Sequence, residues 1–137
     1  METSVISYLN ANPGRNVVQL AHQKITREWW SKFKPKSDFY ISVFILEEIE
    51  KGDKKAATKR LKSVGNLPIL DATAQTERLA SLLLKELGIP THSRLDGYHL
   101  AMAALNSQDY IVSWNFRHMA NPRVRRIYKS ICLAEGL

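Results

Sequence analysis

Several polar residues of this chain fall where an apolar run gives way to a helical pattern. Glu2 stands directly before Thr3 and Ser4 in the opening METSVIS, Asp96 opens the helical stretch of RLDGYH, and Asn115 follows the apolar YIVSW. Glu47 and Glu48 lie one turn into the helix after DFYIS, so one of them faces the same edge. In an α/β protein the side chains at the carboxyl ends of strands converge on the ligand crevice. Carboxylates within about 4 Å of one another repel by roughly 4 kcal/mol per pair at an effective dielectric of about 20, so such a cluster needs a compensating charge. Hard divalent cations prefer oxygen ligands, which makes Mg²⁺ or Mn²⁺ the expected cofactor. The chemistry this implies is metal-assisted phosphoryl transfer, with a cation at the scissile phosphate and an activated water as nucleophile.

Other constellations have less support. There is no Gly-rich P-loop, no GxGxxG and no GxSxG, which removes nucleotide-cofactor and serine-hydrolase chemistry. His92, His99 and His118 are candidate bases, although a lone histidine near a helix is more often structural; His118 stands out because it follows Asn115 by three residues. Cys132 is the single cysteine, which rules out an intrachain disulfide and a cysteine-based zinc site.

The elements that must position these residues can be read from periodicity and punctuation. The pattern predicts a short helical piece over Ser4 to Leu9, a loop from Asn10 to Arg15, and a helix from about Asn16 to Lys32 whose Val17, Leu20, Ala21, Ile25 and Trp29 recur at helical spacing. Trp29 and Trp30 read as packing residues. DFYIS (Asp38 to Ser42), LPIL (Leu67 to Leu70) and YIVSW (Tyr110 to Trp114) read as short buried strands. Helices are expected after Ser42, from Asp53 to Val64, over DATAQTERLASLLLKELGIP up to the Gly88 and Pro90 stop, from Asp96, and from about Pro122 to Ser130. Short apolar strands alternating with helices predict an α/β fold, a three-layer α/β/α sandwich with a central parallel sheet.

Composition bounds the rest. With 137 residues, 45% hydrophobic and 24% charged, the chain has the size and content of one soluble domain, 1–137, rather than of a disordered or fibrous protein. No apolar run is long enough to cross a bilayer and no secretory leader pattern opens the chain, so a cytoplasmic protein is expected. A net charge of +7 favours a nucleic acid or an acidic protein as partner.

At these same positions the sequence resembles the PIN-domain family, and more closely its VapC-like toxin ribonucleases of type II toxin-antitoxin systems. ETSVISYL, SVFILEEIEKGD and DGYHLAMAALNSQDYIVSWNFRHMANP carry the resemblance, with matching spacing nearly end to end. The resemblance implies an Mg²⁺- or Mn²⁺-dependent endoribonuclease, a cognate antitoxin that holds it inactive, and a homodimer. Its metal ligands fall on Glu2, Glu48 and Asp96, with Glu48 preferred to Glu47 because it lies six residues after Ser42. The fourth acidic position falls on Asn115, which lowers the charge of the site by one and leaves His118 to contact water or phosphate. Thr3 and Ser4 would orient Glu2, and Arg117, Arg123, Arg125 and Arg126 would hold RNA phosphates. Only Met1 stands where the family has its first strand, so that strand is expected to be shortened.

Two rival classes meet parts of the same pattern. A degenerate PIN domain that binds RNA or protein without catalysis accommodates Asn115 and the short start. A receiver-like signalling domain also gathers acids at strand ends, but it requires paired acids after the first strand and a lysine after a late one, which YIVSWNFRH lacks.

Overall fold

The computed structural model describes residues 1–137. In chain order it contains α1 (Thr3–Asn10), α2 (Val17–Phe33), β1 (Ile41–Ser42), α3 (Val43–Glu50), α4 (Lys54–Val64), β2 (Ile69–Leu70), α5 (Ala74–Leu87), α6 (Arg94–Leu105) and α7 (Pro122–Ala134). Local sequence sets most of the boundaries. Asn16, Asp53 and Asn121 each accept a backbone N–H of the helix they precede, and Thr73 and Thr76 close a reciprocal cap at the start of α5. Gly88 ends α5 in the left-handed conformation at φ +65°, which a glycine adopts without a Cβ penalty.

The fold is mixed α/β and rich in helix, with a two-stranded parallel sheet in which Ile41 pairs with Ile69 and Ser42 with Leu70. The strands expected over Asp38–Ser42 and Leu67–Leu70 thus shrink to two residues each. YIVSW, expected as a third strand, is extended but not laddered. Its one backbone bond to a neighbouring segment runs from the Glu2 N–H to the Val112 carbonyl at 3.0 Å, and Tyr110 is 85% exposed. A single bond falls short of the repeated pairs that define a strand. Met1 and Glu2 nevertheless occupy the place between: the Met1 amino group donates to the Tyr40 carbonyl at 3.0 Å, on the β1 side.

Two apolar clusters anchor this frame. One joins α1, β1, α3 and α4 through Ile6, Ile41, Ile45, Ile49 and Val64. The other joins α5, α6 and α7 through Leu79, Leu83, Leu100, Ala101 and Val124, and Met119 ties the turn after Asn115 into it. Helices α5 and α6 approach closely because Gly97 has no side chain: a Cβ there would meet Leu84 Cγ at 2.6 Å. This contact fixes the first turn of α6, where Asp96 stands.

Helix α2 departs from its periodicity. Val17, Leu20 and Ile25 of its apolar stripe are exposed, as is Val18, while Gln23 and Thr26 are buried. Polar contacts set its rotation. Gln23 donates to the Asn12 carbonyl at 2.8 Å and accepts the Gly14 N–H at 3.0 Å, and Trp114 Nε1 donates to Thr26 Oγ1 at 2.9 Å. Leaving these buried groups unpaired would cost about 1–3 kcal/mol each, comparable with burying one more aliphatic side chain.

Candidate metal centre

Glu2 has extended backbone and caps α1, which places its carboxylate at the edge where the sheet ends. The Ser4 N–H donates to Glu2 Oε1 at 2.9 Å; the hydroxyls of Ser4 and Ser113 both donate to Oε2, the latter at 2.7 Å. Glu2 is only 9% exposed, so these bonds replace the water it has lost.

Glu48 reaches the same place from α3, while Glu47 points to solvent. The Thr3 hydroxyl donates to Glu48 Oε2, and His99 Nε2 lies 3.0 Å from the same oxygen. Asp96 follows the same plan: Asn115 Nδ2 donates to its Oδ2 at 2.9 Å, and His118 Nδ1 lies 2.7 Å from that atom. In both carboxylates one oxygen is anchored, and the other has no protein partner and is not sealed from solvent. Ligand atoms of Glu2, Glu48 and His99 all lie within 4.8 Å of one another.

Hydrogen bonds join Glu2 to the Asp96 side of the site. Ser113 Oγ, bonded to Glu2, accepts the Asn115 N–H at 2.8 Å, and Ser4 Oγ accepts the Trp114 N–H at 2.9 Å. Asp96 and His99 sit three residues apart on α6 and so share a face. The Trp114 ring, stacked on His22 at 4.1 Å with an interplanar angle of 21°, fastens this segment to α2.

Several expected roles shift. Glu2 and Glu48 come together, but the third member of their group is His99 rather than Asp96, whose anchored oxygen is held by Asn115 and His118. Asn115 Oδ1 accepts the His118 N–H at 3.0 Å and its Nδ2 donates to Asp96, so the residue caps a turn and braces Asp96. His118 meets Asp96 through Nδ1. Ser4 orients Glu2, whereas Thr3 serves Glu48. Arg117, Arg123, Arg125 and Arg126 are exposed and form no ion pair.

His99 and Ser113 are the site residues that sequence reasoning passed over in these roles. The i, i+3 spacing of Asp96 and His99 was a usable signal for the first. Nothing in YIVSW marks the Ser113 hydroxyl, because its role depends on a segment more than a hundred positions away in the chain.

Burial opposes ionisation of Glu48, but hydrogen bonds from His99 and Thr3, with the charges of His99 and Lys51, outweigh it and hold its carboxyl below the ordinary glutamate value. A folded-state value below the unfolded one adds stability that is present above the unfolded value and is lost as pH falls through the folded one. The thermal midpoint of the metal-free protein should therefore fall less steeply with acidification in Glu48→Gln than in the wild type, as measured by circular dichroism from about pH 6 to about pH 3. Parallel curves would show that Glu48 makes no such contribution.

The donor set fits a hard divalent ion. Two carboxylates supply oxygen, the exposed oxygen of Glu48 remains open, and an imidazole beside them is a ligand type that Mn²⁺ accepts along with carboxylate. Comparison with protein-family models, with curated proteins and with solved structures finds no match to the chain.

Proposed function

We propose that this protein is an Mg²⁺- or Mn²⁺-dependent endoribonuclease with a PIN-like α/β/α arrangement, acting as the toxin of a type II toxin-antitoxin pair. One observation carries the proposal: acidic side chains from α1's cap, α3 and α6 gather at one place, Glu2 joined to Asp96 through Ser113 and Asn115 and Glu48 within 4.8 Å of Glu2, with one oxygen of Glu48 and one of Asp96 anchored and the other left open. An anchored carboxylate with its second oxygen open to solvent can offer that oxygen to a hard cation.

A bound cation supplies charge stabilisation at the scissile phosphate and lowers the pKa of water. The chain supplies the rest. Glu2 and Glu48 hold the cation, Ser4, Ser113 and Thr3 fix the two carboxylates, and His99 orients Glu48 or joins the ligand set. Asp96, braced by Asn115, completes the acidic wall. Asp96, 2.7 Å from Nδ1, fixes the His118 ring; in the tautomer with the N–H at Nδ1, Nε2 would accept a proton from the attacking water. Arg117, Arg123, Arg125 and Arg126 hold the RNA phosphates.

An antitoxin and a second copy of the chain are the partners of this reading, and the exposed Val17, Val18, Leu20 and Ile25 of α2 are the apolar surface that supports either. No helix is long and apolar enough to cross a membrane, and the proposal places the protein in the cytoplasm. A non-catalytic binding module is the second reading. It is favoured by the engagement of Asp96 with Asn115 and His118, which leaves the Glu2 and Glu48 group without a third carboxylate.

The deciding experiment incubates single-stranded RNA with the protein and Mn²⁺ or Mg²⁺. Cleavage that stops with EDTA, returns with added metal and is abolished in a folded Asp96→Asn variant supports the nuclease. RNA binding with neither cleavage nor metal uptake selects the binding module, and cleavage unaltered in Asp96→Asn removes Asp96 from the site.

A further inference from the structure

The turn that follows Asn115 is held at both ends. The Asn115 carbonyl accepts the N–H of Met119 at 3.1 Å and of Ala120 at 2.8 Å, while Asn121 Nδ2 donates to the carbonyls of Phe116 at 3.0 Å and Arg117 at 2.7 Å. Met119 is buried in the α5–α6–α7 cluster and locks the turn from beneath. Phe116, in the same turn, is 59% exposed. A backbone fixed this firmly presents a large apolar ring to water next to Asn115, which itself bonds Asp96.

The ring is not isolated. It packs edge-to-face on Trp114 at 6.0 Å and 67°, and Trp114 stacks on His22, so a three-ring array ends in Phe116 at the surface. Beside it, Arg117 is exposed and unpaired. A rigid exposed aromatic with a cation alongside is the arrangement that binds an unstacked base and its phosphate.

We propose that Phe116 is a stacking platform for an unpaired base of single-stranded RNA, seated next to the phosphodiester at the acidic network; this rests on the nuclease reading. Stacking is tolerant of base identity, because every base has a π face, so the platform selects single strands over duplex without selecting sequence. The preformed turn keeps the ordering cost low.

The test is binding of a single-stranded RNA dodecamer in EDTA, against a dodecamer of the same charge with abasic central positions. Base stacking is worth about 1–3 kcal/mol, so the wild type should bind the base-bearing strand roughly 5- to 150-fold more tightly. Phe116→Ala should bring that ratio to about one, and Phe116→Trp should retain it. A wild-type ratio of one, or an unchanged ratio in Phe116→Ala, overturns the platform. Mn²⁺-dependent cleavage, followed separately, tells the two failures apart: a cleaving enzyme with a ratio of one keeps the nuclease and loses the platform. A Phe116-dependent ratio in a protein that never cleaves keeps the platform and loses the nuclease.

Discussion

Glu48→Gln is expected to lower both Mn²⁺ affinity and Mn²⁺-dependent RNA cleavage by more than about 100-fold, because changing even a group that merely supports a metal ligand costs about 10- to 100-fold. The substitution keeps the shape of the side chain and an oxygen acceptor for Thr3 and His99, but it removes the charge that faces Glu2. Calorimetric titration with Mn²⁺ and a gel assay of RNA cleavage read the two effects. Thr3→Val is the informative companion. It removes only the hydroxyl that fixes Glu48 Oε2, so it should cost less than Glu48→Gln, in the range of about 10- to 100-fold. If Glu48→Gln binds Mn²⁺ as the wild type does, the acidic group is structural.

Leu83→Ala is expected to destabilise the fold by about 2–5 kcal/mol, a large part of the roughly 5–15 kcal/mol available to a domain. Leu83 is fully buried at the contact of α5 with α6, among Leu79, Leu100 and Ala101. The neighbouring Leu84 side chain already fills the space over Gly97, where a Cβ would meet Leu84 Cγ at 2.6 Å, so the helices have little freedom to collapse into the cavity. Urea unfolding measures the loss. Because α6 carries Asp96 and His99, and the same cluster holds Met119 beneath the turn with Phe116 and His118, the variant should lose activity at lower temperature than the wild type. Below its own transition its metal affinity should stay near normal. A loss under about 1 kcal/mol would mean that the site can repack.

These two substitutions separate what the chain encodes locally from what it assembles. Caps and breakers are local chemistry, and several were legible: Asn16, Asp53, Gly88 and Pro122 mark helix limits within a residue or two of those observed. Glu2 and Asp96 were expected at helix starts and stand there, while Glu48 falls in the last turn of the short α3. Strand length was not legible. Whether YIVSW forms a ladder depends on how many backbone partners lie beside it, and only the Glu2 N–H reaches it.

The amino-acid sequence by itself determined the order of helices, the basic surface, the single cysteine and the residue types available for an oxygen-rich site. Tertiary structure alone decided which face of α2 is buried, since the hydrogen-bond needs of Gln23 and Thr26 outweighed the apolar stripe. It also decided that His99 rather than Asp96 joins Glu2 and Glu48, and that Asn115 braces Asp96. The physical reason is the same in each case. A side chain's chemistry is fixed by its type, but its partner is fixed by distances between segments far apart in the chain, and those distances exist only after the core has packed.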